Sequence, residues 1–438
     1  MRRSQNRSGA KEVRLGLVGL GTVGSGVFKL LSQQGRALEK KTGVRLVLKK
    51  IAVKSLSKKR AVSVPRALLT KDAMAVAKDP RIDVLIELIG GIHPAKEIIQ
   101  KAIASGKHVV TANKALLAEH SEEIFTLADK YSRKVGFEAS VCGGIPIIKS
   151  LKEGLVSNDI SQFLGIVNGT CNYILTRMSA GGIDFATALL EAKKKGYAEK
   201  NPALDINGVD SAHKLAVLAR LAFRSVIPLK KIHVEGIRRL SGEDIEYARE
   251  LGYVIKLLAV GKKHPQGLEL RVHPTLLPQG HPLASVRGVY NAVFIQADQA
   301  GDQLFYGRGA GSAPTASAVM SDVVDIARRI SSDDGRAKLV PLRLERKPVL
   351  DIDETVSKYY LRFQVADKPG VLGMIAKTLG QNHISILSVN QKESHATQSV
   401  PVIILTYGAT EKNVKKALKI IDASQGVSQK TVMMRVES

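Results

Sequence analysis

Residues 13–31, VRLGLVGLGTVGSGVFKLL, decide the fold class of this chain. The apolar run at their start, 13–18, is typical of a buried strand, and the residues after the glycines have the pattern of a helix through Leu31. A GxGxxG turn joins them, in which the glycines permit a sharp reversal, close approach of a pyrophosphate and packing of helix on strand. We therefore expect a dinucleotide-binding βα unit. Its candidate cofactor contacts are Gly19, Gly21, Thr22, Val23 and Gly24.

Further apolar runs follow at regular intervals. They cover 44–53, 83–91 and 108–111, and another strand followed by a Gly-Gly turn falls within 134–151. Strands that alternate with helical stretches indicate a parallel sheet with crossover helices. The fold class is therefore α/β, with a Rossmann-type dinucleotide-binding domain over 1–135.

The rest of the chain predicts two more domains. Residues 136–305 mix strand and helix patterns, which indicates an α+β domain. Residues 331–355 are polar and contain prolines, as in a linker. Residues 356–438 show the order βαββαβ, which indicates a separate ferredoxin-like unit.

Composition narrows the class of protein. The chain has 438 residues, 44% of them hydrophobic, and lacks an apolar run long enough for a membrane span. Only two cysteines are present, which indicates a reducing compartment, the cytoplasm. The net charge of +26 attracts anions and nucleic acid non-specifically. Aromatic residues are only 4%, and we expect a solvated basic surface without specific nucleic-acid binding.

The end of the second strand bears on the choice of cofactor. An acidic residue there would bind the ribose hydroxyl of NAD. The segment AVKSLSKKR instead carries Lys54, Lys58, Lys59 and Arg60 and no acid. Cations suit the 2′-phosphate of NADP, so NADP is the expected cofactor and NAD the alternative. The other interpretation is that these side chains lie on the surface and bind no cofactor.

Asp210 and Lys214 form the second anchor. They are four residues apart in a helical pattern, so they share one face, and apolar residues continue that stripe. A partly buried pair at a cleft is one interpretation, and an ordinary surface ion pair is the other.

Seven segments in this order resemble the homoserine dehydrogenases, with an ACT-type regulatory domain at the C-terminus. They are GLGTVG (19–24), ELIGG (87–91), VVTANKALLA (109–118), EASVCGGIPII (138–148), GIVNGTCNYILT (165–176), GYAEKNPALDINGVDSAHK (196–214) and YGRGAGSAPTASAV (306–319). DKPGVL (367–372) resembles an ACT ligand loop. The resemblance covers nearly the whole chain. It implies that residues 136–305 form a substrate-binding and dimerisation domain and that residues of about 306–345 complete the dinucleotide-binding domain.

The resemblance implies the reversible reduction of L-aspartate 4-semialdehyde to L-homoserine, on the route to threonine, methionine and isoleucine. Lys214 and Lys114 match catalytic lysines, with Asp210 as a third catalytic residue. A lysine brought toward neutrality by burial can move a proton, and a charged one stabilises an alkoxide. Substrate binding falls to Glu199, Asp205, Asp210 and Lys114. The cofactor would also meet Gly90, Lys114, Gly307 and Gly309.

The same resemblance implies a sodium site made by the backbone carbonyls of Glu138, Val141, Gly143 and Ile145. A Gly-Gly turn can direct several carbonyls at one hard cation, although an empty tight turn would have the same sequence. It also implies a homodimer or homotetramer and, through Asp367 to Gly370, feedback by L-threonine, with a purely structural C-terminal domain as the alternative. The sequence departs from the family at Lys200 and Asn201, where an Asp-Pro is common.

Two rival functions remain open at this point. A phosphorylating semialdehyde dehydrogenase would need a cysteine nucleophile, for which Cys171 is the candidate. For Cys142 and Cys171 the simpler interpretation is a small buried side chain. A nucleotide-binding regulator that holds nucleic acid on its basic surface is the second rival.

Arg308 lies within the segment YGRGAG. Its side chain would either contact cofactor phosphate or point to solvent.

Overall fold

The computed structural model describes residues 11–332, 343–391 and 399–437. Part of the predicted linker, 333–342, lies outside the described residues. Of the helices within the described ranges, none is both long and apolar enough to cross a membrane.

The elements of the N-terminal third follow the expected alternation. They are β1 (Lys11–Val18), α1 (Thr22–Thr42), β2 (Val44–Ala52), β3 (Leu69–Thr70), α2 (Ala73–Lys78), β4 (Val84–Glu87), α3 (Ala95–Ala104), β5 (His108–Thr111), α4 (Lys114–Lys130), β6 (Val135–Gly136) and α5 (Ile147–Lys149).

The middle of the chain contains longer strands. Its elements are β7 (Ile160–Ile166), α6 (Gly169–Gly181), α7 (Phe185–Lys194), α8 (Ala203–Ile206), α9 (Val209–Ala222), β8 (His233–Val234), α10 (Gly242–Glu250), β9 (Tyr253–His264), β10 (Gly267–Pro278), β11 (Tyr290–Ala297), β12 (Gly301–Arg308) and α11 (Ser312–Ser331).

The C-terminal elements keep the predicted order. They are β13 (Val356–Ala366), α12 (Val371–Gln381), β14 (Ile386–Gln391), β15 (Ser399–Thr406), β16 (Ala409–Thr410), α13 (Glu411–Asp422) and β17 (Val427–Val436).

The chain divides into two compact units. The first unit consists of residues up to 158, with 216–229 and 305–346, and the second unit consists of 159–215, 230–304 and 347 to the C-terminus. Each unit contains one large sheet, and each supplies residues that the sequence analysis singled out.

The sheet of the first unit has the order β3-β2-β1-β4-β5-β6 and is parallel throughout. One apolar core packs on the face covered by α1 and α11, and a second packs on the face covered by α2, α3 and α4. This Rossmann-like arrangement confirms the predicted α/β class. Helix α1 continues past the expected Leu31 to Thr42 and ends at Gly43, whose φ of 73° no ordinary helix residue adopts.

The sheet of the second unit is built from two parts. The order β12-β11-β7-β9-β10 is followed directly by β17-β13-β15-β14. The latter four strands, with α12 and α13, form the predicted ferredoxin-like βαββαβ fold around a core of its own. Parallel pairing of Thr275 with Arg435 and of Leu276 with Val436 joins the two parts. The C-terminal fold therefore continues the sheet of β7 and β9–β12, which we call the substrate region after its predicted role.

Candidate active site

The glycine turn after β1 leaves the start of α1 open. Gly19 has a φ of 103°, and a Cβ added there would lie 2.6 Å from the carbonyl oxygen of Leu88. A Cβ on Gly24 would lie 2.2 Å from the oxygen of Gly19, whereas one on Gly21 would meet nothing within 4 Å. No side chain caps the helix at Gly21. The first N–H groups of a helix have no partner within the helix, so a start without a side-chain cap suits a phosphate.

A buried glutamate organises the neighbouring loops of the first unit. The Glu87 carboxylate accepts hydrogen bonds from the amides of Ile89 (2.8 Å) and Gly90 (3.2 Å) and from the Thr111 hydroxyl (2.6 Å). Asn113 caps α4 through the amide of Leu116. Since Lys114 is the first residue of α4, these contacts fix where its side chain begins.

The Asn113 amide also closes this network, because it donates to the carbonyl of Gly91 at 2.6 Å. Glu87 and Asn113 lie inside the motifs ELIGG and TANKA, but the sequence analysis assigned them no role. A buried acid and a buried amide beside a glycine turn were the signals that could have identified them.

The predicted cationic side chains of the loop after β2 differ in their contacts. Lys54, Lys58 and Lys59 are exposed. The Arg60 guanidinium instead donates to the carbonyl of Lys58 at 2.9 Å and to that of Ser55, so it folds the loop onto itself. The three lysines are therefore better placed than Arg60 to meet an anion.

The segment of the proposed sodium ligands is a tight, buried turn. The Glu138 carboxylate accepts from the amides of Ile148 and Lys149, both at 2.8 Å, and burial raises its pKa to about 7. Its carbonyl accepts a long 3.5 Å bond from the Val141 amide, whereas the Ile145 carbonyl accepts a 2.8 Å bond from the Ile147 amide. Gly143 has a φ of 49°. Because a carbonyl oxygen has two lone pairs, one internal bond does not prevent it from binding a monovalent cation. Among the described residues no cluster of three or more His, Cys, Asp or Glu offers a different metal site.

The turn before α11 packs on that segment. The amide of Gly144 donates to the carbonyl of Arg308 at 3.1 Å, and a Cβ on Gly143 would lie 2.5 Å from the oxygen of Gly309. Gly307 packs against Ile145. The structure therefore brings Gly307 and Gly309 beside the proposed ion ligands, while the Arg308 residue is exposed.

In the second unit, the helix pair of Asp210 and Lys214 is buried. The Lys214 ammonium donates to Asp210 Oδ2 at 2.7 Å and to the carbonyl of Val167 at 2.6 Å. Only 11% of the lysine side chain and 6% of the aspartate side chain are exposed. An exposed surface ion pair is thereby excluded.

Asn168 joins the two predicted aspartates. Its amide nitrogen donates to Asp205 Oδ1 and to Asp210 Oδ2, each at 2.8 Å, while its oxygen caps α6 through the amide of Cys171. The sequence analysis quoted this residue in NGTCNY and gave it no role. Its position between a buried strand and a helix was the available signal.

Two further residues of this unit differ in their surroundings. Glu199 is exposed in the segment between α7 and α8. Cys171 is fully buried, its thiol donates to the carbonyl of Asp205, and burial raises the pKa of that thiol. A protonated buried thiol is a poor nucleophile, which disfavours the phosphorylating dehydrogenase.

Lys114 belongs to the first unit and Lys214 to the second. Their joint role in one catalytic site therefore stays a prediction.

Three models of known protein families match successive parts of the chain. The NAD-binding domain of homoserine dehydrogenase matches residues 19–138, the homoserine dehydrogenase domain matches 146–324, and the ACT domain matches 359–426. A homoserine dehydrogenase of Neisseria gonorrhoeae is 44% identical over 98% of this chain and 99% of its own length. The chain belongs to the homoserine dehydrogenase family.

Solved structures of this family agree with the assignment. A homoserine dehydrogenase from Thiobacillus denitrificans superposes with a TM-score of 0.93 at 43% identity, covering 98% of this chain and 99% of that one. A hyperthermophilic archaeal homoserine dehydrogenase in complex with NADPH covers 72% of this chain and 97% of its own, at 26% identity and a TM-score of 0.61. The present homoserine dehydrogenase is thus an NAD(P)-dependent oxidoreductase with a C-terminal ACT domain.

Proposed function

We propose that the chain interconverts L-aspartate 4-semialdehyde and L-homoserine with Lys214 as the residue that handles the proton. The observation that carries this proposal is the buried Lys214 ammonium, directed by Asp210 and the Val167 carbonyl. A bound reduced nicotinamide supplies the hydride to the aldehyde carbon. Lys214 gives a proton to the carbonyl oxygen as the alcohol forms, and it takes the proton back in the reverse direction.

Acidic residues of the second unit would bind the substrate. We assign its amino group to Glu199, with Asp205 and Asp210 in the same wall, because an ammonium needs a carboxylate partner. Glu199 is exposed and thus accessible to an incoming ligand. Lys114, which matches a catalytic lysine of the family, would stabilise developing negative charge on oxygen.

NADP is the proposed cofactor, with NAD as the weaker alternative. The exposed Lys54, Lys58 and Lys59 and the absence of an acid after β2 support it, as does the NADPH bound by the archaeal relative. The open turn at Gly19, Gly21, Thr22, Val23 and Gly24 would hold the pyrophosphate. Gly90, Gly307 and Gly309 would line the remaining length of the cofactor.

Charge reversal tests this choice. We expect Lys54→Glu to raise the KM for NADP about tenfold and to change the KM for NAD little, because only NADP carries the additional phosphate. Lys29→Glu, an equal change at an exposed position of α1, is the control. Equal effects on both cofactors in the Lys54 variant would contradict the assignment.

The remaining proposals concern ions, effectors and assembly. We propose that the carbonyls of Glu138, Val141, Gly143 and Ile145 hold sodium, which would stiffen the turn beneath Gly307 and Gly309. L-threonine is the proposed effector of the ACT domain, through the exposed loop 367–370. We also propose that the protein forms a homodimer or homotetramer, acts in the cytoplasm and does not bind nucleic acid specifically. The three domains are proposed to have the boundaries predicted from the sequence.

One assay tests the central proposal. Purified protein is mixed with L-homoserine and either NADP or NAD, with and without L-threonine, and absorbance of the reduced nicotinamide is followed. We expect homoserine-dependent reduction that is faster with NADP and slowed by threonine. No reduction with either cofactor would reject the function, and an unchanged rate with threonine would reject only the effector.

A further inference from the structure

The junction between the ACT fold and the substrate region contains buried charges. Arg435 of β17 has 1% of its side chain exposed. Its guanidinium donates to both oxygens of Glu411, the first residue of α13, and to Glu235 Oε1 at 3.0 Å. Glu235 lies outside the ACT fold, just after β8. One arginine thus links a helix of the ACT fold to a loop of the substrate region.

Glu235 belongs to a short segment that is anchored on β10. Strand β8 pairs with Arg271 and Val272, and the Glu235 amide donates to the Val272 carbonyl at 2.7 Å. The carboxylate also contacts His233 Nε2 at 2.6 Å. Although burial raises the pKa of Glu235, His233 and Arg435 outweigh it and lower this pKa to about 2. The carboxylate is therefore charged throughout the physiological range.

The same segment is in direct contact with the backbone of residues 206–208. The Ile237 amide donates to the Ile206 carbonyl at 2.9 Å, and a Cβ added to Gly236 would lie 2.1 Å from that oxygen. A Cβ added to Gly208 would lie 3.1 Å from the Glu235 carbonyl oxygen. The backbone at 235–237 and at 206–208 is therefore in direct contact, with space for no side chain between.

The contacted backbone lies between two candidate substrate residues. Asp205 precedes residues 206–208 and Asp210 follows them, and both carboxylates accept from Asn168. A displacement of this backbone by a fraction of an ångström would change both carboxylates together. The ionic contact of Glu235 with Arg435 is what ties the supporting segment to the ACT fold.

We propose that Glu235 and Arg435 are positioning residues for the substrate carboxylates, and that through them the ACT fold sets the affinity for homoserine. This inference rests on the proposed roles of Asp205 and Asp210. The transmitting path is Arg435 to the Glu235 carboxylate, then the backbone of 235–237, then that of 206–208. Residues at both ends of the path lie in the second unit.

Two matched variants test the proposal in the full chain. Glu235→Gln removes the charge that faces Arg435, while Glu411 still pairs with it. We expect the KM for L-homoserine to rise about fivefold or more, with the KM for NADP within about twofold of wild type. Glu437→Gln is the control, because Glu437 pairs with Arg271 and Lys262 in the same sheet, whereas Glu235 pairs with Arg435.

The control separates positioning from stability. Glu437→Gln is expected to lower the melting temperature at least as much as Glu235→Gln and to leave the KM for homoserine within about twofold. An equal rise of that KM in both variants, or in neither, overturns the proposal.

A second variant and a readout without turnover complete the test. Arg435→Lys keeps the charge but lacks the fork that reaches Glu411 and Glu235 together, so it should raise the KM for homoserine as Glu235→Gln does. Hydrogen exchange followed by mass spectrometry should show faster exchange at 203–210 in Glu235→Gln and not in Glu437→Gln. Unchanged exchange there contradicts the path, whereas a wild-type protein that does not oxidise homoserine contradicts only the proposed function.

Discussion

Lys214 is positioned by one partner that is distant along the chain and by one that is close. Val167 directly follows β7, and Asp210 lies one helical turn before the lysine. Because a buried ammonium without partners is costly, these two contacts keep the charge in place and fix its direction.

We predict that Lys214→Ala lowers kcat about 100-fold or more, because it removes the group that handles the proton. The dissociation constant for NADP, measured by fluorescence titration, should stay within about twofold. Lys194→Ala, an exposed position on α7, is the control and should be indistinguishable from wild type. A Lys214→Ala enzyme with nearly normal kcat would remove the proposed role.

Asn168 is the second residue whose replacement is informative. Asn168→Ser keeps an oxygen to cap α6 and loses the N–H groups that hold Asp205 and Asp210. We expect kcat/KM for homoserine to fall about tenfold, since the two carboxylates would then lose the donor that they share.

The variant Asn168→Asp tests the same contact from the other side. It keeps the cap and adds a third carboxylate beside Asp205 and Asp210, so both the activity and the melting temperature should fall further than in Asn168→Ser. Equal activity in the two variants would show that only the cap matters.

At the scale of elements, β9 contains a charge that opposes folding. Lys256 is 3% exposed and donates to the Asn172 side chain and to the Val286 carbonyl. Burial, and secondarily Arg287, lower its pKa from 10.5 to about 8. Between these pH values the unfolded chain binds more protons than the folded chain, so this residue makes the free energy of unfolding rise with pH.

We therefore predict that the stability difference between wild type and Lys256→Met changes in favour of wild type between about pH 8 and about pH 10. Urea denaturation of both proteins across this range measures it, and other lysines cancel in the difference. A difference that does not vary with pH would mean that the amine titrates normally.

For the whole molecule, the ACT fold is part of the sheet. Strand β17 pairs with β10 at Thr275 and Leu276, and Arg271, which is fully buried, pairs with Glu437. A second buried pair, between Arg362 and Asp244, links β13 to α10. Removal of residues 356–438 would expose an edge strand and leave buried charges without partners.

We predict that a chain ending at residue 355 loses about 3 kcal/mol or more of stability and aggregates. Thermal unfolding followed by light scattering measures both effects. Full stability in the shortened chain would show that the joined sheet contributes nothing. Threonine feedback is consequently better tested with Asp367→Ala in the full chain than by truncation.

The features that depend on residues close together in the chain could be predicted from the amino-acid sequence. The glycines of 19–24 fix the first βα turn, the alternation of strands and helices fixes the parallel sheet, and the spacing of Asp210 and Lys214 fixes their shared helix face, because each depends on residues close in the chain. Residues 356–438 likewise show their βαββαβ order through hydrophobic period alone.

Only the tertiary structure decided the contacts between distant segments. The bridge of Asn168 to two aspartates, the support of Asn113 and Glu87 for the loops beside Lys114, and the path from Arg435 to Ile206 join residues with no shared periodicity. A buried polar side chain selects its partner by three-dimensional proximity and by the cost of remaining unpaired, and neither quantity can be read from spacing along the chain.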